Sequence, residues 1–494
     1  MIGSRRGRQF ATTVPVLVVS IAMLLMTAAA PASASPRGTV ATAMATASQM
    51  SVVVHPNGYN DTRDLQNAFN ACVSHGPGCS VQLVRGTYYM AQVTAYGFQG
   101  DFVGVGEGQT LINALPNLPS PNPEFNSTTS SFWNGLPGPS NPWPALFTFV
   151  GGSFYASGMT FSEPYFHPSL GWYDQGVSYD ALIGAVVVTG TYANVHFDHV
   201  TVIGAPGDSA GFNMENAIDF EGLTLAPGGT TVADLQPLSG VLSVTNSAFF
   251  TLSSGPWFAN LLNADVTVCF DNAVNASDPF GFFDSYGSVF TFCGNRATEV
   301  AFGSGLLVVQ GLEIFSQVPT TVIVRENDFQ VSDGSTGVLL IDGTDSVSAI
   351  VSGNVIRTDT SCGCYSSSEP VAYGYSAISL VGLASAVASG NLVLGGGAAG
   401  VYFMGGPGAV NANVILGTIV GVWADYASGV QVVGNVILNS EAWGIAVTDG
   451  SSSITVSHNV LASSGLYDLY WDLTGTGDVW AHNVCHTSSP SGLC

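Results

Sequence analysis

Five asparagines near the C-terminus recur at an almost fixed interval. Asn391, Asn413, Asn435, Asn459 and Asn483 lie 22, 22, 24 and 24 residues apart, and each opens a short apolar run such as Val-Ile-Leu. Looser copies precede them at Asn295, Asn327 and Asn354. Self-similarity at a period in the low twenties restricts a chain to a solenoid, in which each repeat buries its apolar face only against its neighbours. A length that would suit two or three ordinary domains is therefore expected to form one continuous body.

One repeat displays its own parts. Gly444-Ile-Ala-Val-Thr, Ile454-Thr-Val-Ser and Val460-Leu-Ala read as three short strands separated by Gly, Ser, Asp and Asn. Each alternates apolar with small or polar residues, the period of a half-buried strand. Stacked coils of this kind give three parallel sheets. The repeated Asn is expected to be the turn residue itself, tolerant of the left-handed conformation, with its amide bonded to the next coil in a ladder.

Upstream, Asn60-Asp-Thr-Arg-Asp64 offers helix-capping residues, and Leu65, Ala68, Phe69 and Cys72 follow at helical spacing. A short amphipathic helix over 61–73 is expected to cover the open end of the stack, where unpaired strand edges would otherwise be exposed. Residues 115–145, rich in Pro, Asn and Ser, read as a long loop interrupting the coils. The first residues carry Arg5, Arg6 and Arg8, then an apolar run, then Ala32-Ser-Ala34. That order predicts a secretory signal peptide over 1–34, a flexible segment over 35–50 and the β-helix over 51–494.

Export bears on the cysteines. Their order predicts Cys72–Cys79, Cys269–Cys293 and Cys485–Cys494, with Cys269 and Cys293 facing each other on adjacent coils; Cys362 and Cys364 would form a strained bridge or stay free. Loss of residues 1–34 would remove three arginines and no acid, taking the net charge from −24 to −27. There is no lysine. So acidic a surface disfavours nucleic acid and anionic membrane, and a polyuronate would need bridging cations such as calcium. The protein is expected to act as a monomer on an extracellular polysaccharide.

The segment Val54-His-Pro-Asn-Gly-Tyr-Asn-Asp-Thr-Arg-Asp-Leu-Gln-Asn-Ala-Phe, then Val84-Arg-Gly-Thr-Tyr, then Val103-Gly-Val-Gly-Glu-Gly-Gln-Thr-Leu-Ile, resembles the opening of the pectate-lyase-like right-handed parallel β-helix superfamily. The closing segment from Trp480 to Cys494 is similar to the disulfide-closed ends of its secreted bacterial members. The resemblance implies an all-β, right-handed, three-sheet solenoid with a groove along its first sheet for extended glycans. It also implies polysaccharide lyase or glycoside hydrolase activity as a class, without fixing the reaction.

The residues narrow that class. Absence of lysine removes lysine-based elimination, and neither the Arg-x-Pro-x-x-Arg pattern of pectate lyases nor the acidic and His segments of polygalacturonases are found. Phe197-Asp198-His199 is similar to a Trp-Ile-Asp-His segment of pectate lyases, though a coil turn accounts for it more simply. A general hydrolase needs two carboxyl groups. Glu215-Asn-Ala-Ile-Asp219-Phe-Glu221 supplies them: with Ile218 and Phe220 inward, Asp219 and Glu221 point outward on the first sheet, roughly 6.7 Å apart. Asp208 and Asp284 are expected to join from adjacent turns. The bland reading is solvated decoration of an acidic surface; a third is a calcium site built from the same oxygens.

Tyr402, Trp423 and Tyr470 align at one outward position of nearby coils, as a platform for sugar faces or as simple inter-coil packing. Arg325 is expected outward and paired with Glu326 or an acid of an adjacent coil, and Arg296 falls where later repeats carry what reads as an inward Val or Leu, so that either the register shifts there or the arginine is buried with a partner. His167 reads as a loop residue near the groove, and His458 and His482 as turn residues. Three readings result: an enzyme cleaving a neutral or weakly charged polysaccharide with Asp219 and Glu221, a non-catalytic β-helix binding glycan or a cell surface, and a calcium-dependent lyase using Arg or Tyr.

Overall fold

The computed structural model describes residues 49–116, 145–163, 172–174, 177–179, 182–204, 214–222, 224–225, 235–300, 303–310, 318–332, 335–358, 375–395 and 397–494. The signal peptide, nearly all of the 35–50 and 115–145 segments, Cys362, Cys364, His167 and Asp208 lie outside them.

Each complete coil contributes one strand to each of three sheets, and among the described residues every coil-to-coil pairing is parallel. Ala399–Met404, Gly408–Asn411 and Val414–Leu416 pair with Val420–Asp425, Val430–Val433 and Val436–Leu438 of the next coil. Sheet one begins at Val93–Tyr96, sheet two at Met50–Val54 and sheet three at Gly86–Met90. In the earlier coils the strands run on through the corners, so that Leu182–Ile203 serves all three sheets in 22 residues. Two antiparallel pairs are inserted around the Met214–Glu221 coil. One, Trp172–Asp174 with Val177–Tyr179, precedes the sheet-one strand beginning at Leu182; the other, Thr224–Leu225 with Leu235–Gln236, follows Glu221.

Inward side chains of the three sheets form a continuous core. Phe220 stacks on Phe258 at 4.8 Å and Phe282 on Phe290 at 3.7 Å, while the C-terminal coils use Val401, Val422, Ile445 and Leu469. Helix α1, Thr62–His75, buries the expected Leu65, Ala68, Phe69 and Cys72. Phe69 meets Phe98, Phe102, Phe147 and Phe149 edge-on, closing the first coils. Asp61 does not cap this helix with its side chain. Its carboxylate accepts the N–H groups of Asn57 and Tyr89 instead, fastening the helix entrance to sheet three.

Between sheets two and three runs the asparagine ladder. The side-chain oxygen of Asn435 accepts both the backbone N–H and the amide N–H of Asn413, and its own amide donates to Val410 O and Asn459 Oδ1. The pattern holds from Asn295 to Asn483. The asparagines are not the left-handed residues, contrary to expectation: that conformation belongs to the residue before each one, including Gly294, Glu326, Ala412, His458 and His482. The Asn must keep an ordinary backbone to aim its amide down the stack, and the preceding residue makes the turn. His199 occupies this same turn place, at φ 52°.

Below Asn295 the ladder place is taken by Asp271, 1% exposed, which accepts the Ser247 N–H at 2.7 Å and donates its own N–H to Asn295. Burial holds its carboxyl well above the usual range, and Oδ2 has no partner among the described residues. The amide of Asn295 donates to Val268 O, and the matching carbonyl one coil earlier is that of Val244. Asp271→Asn is expected to supply that donor and raise stability by about 1 kcal/mol near neutral pH. A raised carboxyl contributes stability that is complete below the unfolded value and lost as pH rises through the folded one, so the variant's advantage should widen from pH 4 to pH 7. Urea unfolding of both proteins at the two pH values measures it.

Disulfides Cys72–Cys79, Cys269–Cys293 and Cys485–Cys494 form as expected, the second joining register partners on adjacent coils of sheet two. Arg296 needs no buried partner. It aligns with Asp328 and Val355 in an outward row of sheet three, the inward residue being the next one, Ala297, Phe329 or Ile356. Arg325 is exposed, and among the described residues no ion pair joins it to Glu326.

Candidate functional site

Sheet one presents a single outward row that holds most of the expected site residues. Following the register, it runs Asp219, Trp257, Gly281, Leu307, Leu339, Ser379, Tyr402, Trp423, Ala446, Tyr470. The neighbouring row starts at Glu221 and passes through Ala259, Phe283 and Val309. Acids and aromatics thus share one face of the solenoid, at different coils.

Ile218 and Phe220 turn into the core, so Asp219 and Glu221 face the other way, as the alternation requires. They are not solvated, however: Asp219 is 0% and Glu221 5% exposed, which corrects both the expected outward exposure and the decoration reading. Asn216 Nδ2 donates to Asp219 Oδ2 at 3.3 Å. Burial first, then the charge of Glu221, pushes the Asp219 carboxyl well above the usual range, against the smaller opposing effect of Asn216. Two carboxyls on one strand, with one made harder to ionise by its surroundings, can divide the roles of acid and base.

Glu215 lies on the same strand, with its side chain outside the described residues. Asp284 does not join the pair. It sits at φ 42° on the turn leaving sheet one, beyond Phe283 and two coils from Glu221. Asp278 has its carboxyl pushed up to about 6 by burial and aligns through Ser254 with Asn216. The sequence reading missed it.

The aromatic row is in register as expected, but its rings differ in role. Tyr402 and Trp423 are 3% and 6% exposed and belong to a second apolar cluster outside the central core. Tyr402 Oη donates to Asp425 at 2.7 Å and Trp423 Nε1 to Thr448 Oγ1 at 2.8 Å, while the two rings meet edge-on. These are the marks of inter-coil packing, and the sugar-platform reading fails for both. Tyr470 is half-buried, stacked on Trp443 at 4.5 Å.

On sheet two, Asp198 accepts hydrogen bonds from Tyr155 Oη, Thr245 Oγ1 and Asn246 Nδ2 and pairs with His199 Nδ1 at 2.9 Å. These donors outweigh desolvation and hold its carboxyl far below the usual range, and the pairing raises the His199 imidazole. Asp198 is fully engaged in tying three coils together, which favours the turn reading of Phe197-Asp198-His199. A hollow of about 610 Å³ lies elsewhere, beside α1, between Tyr59, Arg63, Gln66 and Gln92. Among the described residues, no three His, Cys, Asp or Glu gather as metal ligands, and no helix is long and apolar enough to cross a membrane.

Fold and site together define a parallel β-helix carrying a buried acid pair on the outward side of one sheet. The chain is a right-handed parallel β-helix: a family profile described as a right handed beta helix region matches residues 321–483. Among curated proteins, none matches the sequence. Similar solved structures include the catalytic unit of a GH87 alpha-1,3-glucanase from Streptomyces thermodiastaticus strain HF3-3, 12% identical over 91% of this chain and 71% of that chain, TM-score 0.46. A PL6 alginate lyase in complex with trisaccharide is 11% identical over 90% and 87%, TM-score 0.45. PfbA, a surface adhesin of Streptococcus pneumoniae, is 15% identical over 78% and 92%, TM-score 0.36.

Proposed function

We propose that this is a secreted carbohydrate-active β-helix that cleaves an uncharged polysaccharide along sheet one. The buried Asp219–Glu221 pair carries the reading. Protonated Asp219 acts as general acid towards the leaving oxygen, and Glu221 activates water or attacks the anomeric carbon. Substrate charge follows from the arginines. The described ones, Arg63, Arg85, Arg296, Arg325 and Arg357, stand on α1, at the turn into sheet three, or on sheets two and three. Among the described residues sheet one has no cation to meet a uronate, which also leaves an arginine-based elimination without its base. Three disulfides and the expected signal peptide support secretion.

Complete burial of Asp219 favours a second reading, a non-catalytic glycan- or surface-binding β-helix in which the protonated acid is a packing group. Product formation separates the two. Incubation with neutral glycans, following new reducing ends and the absorbance of unsaturated uronides together, is expected to give reducing ends alone, unchanged by EDTA; no product from any glycan would favour the binding protein.

A further inference from the structure

Next to the acid pair, on its C-terminal side, sheet one carries two aromatic rings that the core does not use. Trp257 is the register partner of Asp219, and Phe283 stands in the Glu221 row two coils on. Their ring centroids are 5.7 Å apart, tilted by 36°. Phe283 is 36% exposed and Trp257 half-buried, and neither belongs to the central core or to the cluster around Trp423. Isolated exposed apolar residues are ordinary; two rings in contact beside buried carboxyls are a surface with a shape.

Gly281 shapes it. It follows Trp257 in the row, and a Cβ there would lie 2.6 Å from the Leu307 carbonyl oxygen of the next coil, 2.8 Å from Trp257 Cζ3 and 3.4 Å from Cε3. With no side chain beneath it, the indole lies down across the next coil instead of standing off the sheet. Where Tyr402 and Trp423 bond their polar atoms to the following coil and are buried, Trp257 rests on bare backbone. Coils are roughly 4.8 Å apart, close to the length of one sugar unit, so a glycan laid along the solenoid would place successive rings over successive coils.

We propose that Trp257 and Phe283 form a shelf that binds the pyranose faces of an uncharged glycan leading away from the acid pair towards the C-terminal coils. Apolar C–H faces of neutral sugars pack on aromatic rings, and the acidic, cation-free face described above disfavours uronates. The proposal rests on the cleavage reading for the identity of the chain it holds, yet binding tests it separately. In native affinity electrophoresis, the whole mature protein is run in gels containing laminarin, dextran, xyloglucan, galactomannan or polygalacturonate. At least one neutral glycan should retard it, and polygalacturonate should not.

Trp257→Ala is expected to weaken that retardation roughly tenfold, Trp257→Tyr to keep most of it, and Phe283→Ala to weaken it several-fold. Tyr192→Ala, on an exposed ring of sheet two, should change nothing. Thermal melts establish that each variant folds. Binding unchanged in folded Trp257→Ala and Phe283→Ala, or no retardation of the intact protein by any neutral glycan, overturns the shelf. Retardation lost with Trp257 in a protein that cleaves nothing removes the cleavage reading and leaves the shelf standing.

Discussion

Replacing Asn435 by alanine is expected to destabilise the C-terminal coils by about 4 kcal/mol. The side chain accepts from the backbone N–H of Asn413 at 2.9 Å and from its amide at 3.0 Å, and donates to Val410 O at 2.7 Å and Asn459 Oδ1 at 3.0 Å. Alanine leaves these groups buried at 0% exposure without the partner they lose. Buried donors and acceptors stripped of partners cost roughly 1–3 kcal/mol each, offset by relaxation. Because a solenoid is stabilised coil by coil, the loss should fall on the neighbours: hydrogen exchange at Asn413 should accelerate more than at the N-terminal coils. His458→Gly, at an exposed left-handed turn place, should be close to neutral by the same measurement. A loss below about 1 kcal/mol for Asn435→Ala would mean that the ladder is dispensable.

Asp219→Asn and Glu221→Gln are each expected to lower the rate of glycan cleavage by a factor of about 10²–10⁴ while leaving glycan binding in place. The amides preserve shape and the Asn216 contact while removing the proton-transferring oxygen. They also remove the like-charge pair, so Glu221→Gln should lower the Asp219 value and Asp219→Asn should not unfold the protein. In the wild type, activity should fall as pH rises through the raised Asp219 value, because the acid is lost there. A pH–rate profile of the wild type, with unfolding midpoints for all three proteins, distinguishes lost chemistry from lost fold.

What the sequence revealed of this fold was what repeats and what alternates. Asparagines 22–24 residues apart fix the coil length, and the apolar alternation around Ile218 and Phe220 fixes which way Asp219 and Glu221 point. Direction is a property of one strand; burial depends on what lies above it, so the pair reads as solvated until the fold is seen. Tyr402 and Trp423 show the same limit, with register legible and the bonds to Asp425 and Thr448 not. The left-handed place was misassigned because Gly, Glu, Ala and His all fill it, leaving the constant Asn as the visible signal. Asp271 escaped notice because an acid at a ladder place breaks the asparagine pattern.

Trp257 was hidden by its setting. Gly255-Pro256 before it reads as a turn, since proline is uncommon inside a sheet, yet Pro256 pairs with Ile218 and the strand runs on to Ala259. The signal was present in Pro-Trp-Phe, whose Phe258 continues the inward row of Phe220. Alignment of that coil on the Asp219 coil, rather than local propensity, would have found it.

The most direct test of the central claim is the release of reducing ends from neutral glycans by the secreted wild-type protein and by its folded Asp219→Asn and Glu221→Gln variants, compared side by side. The account predicts product from the wild type on at least one neutral glycan and loss of at least about a hundredfold in both variants; wild-type cleavage that survives both substitutions would contradict it.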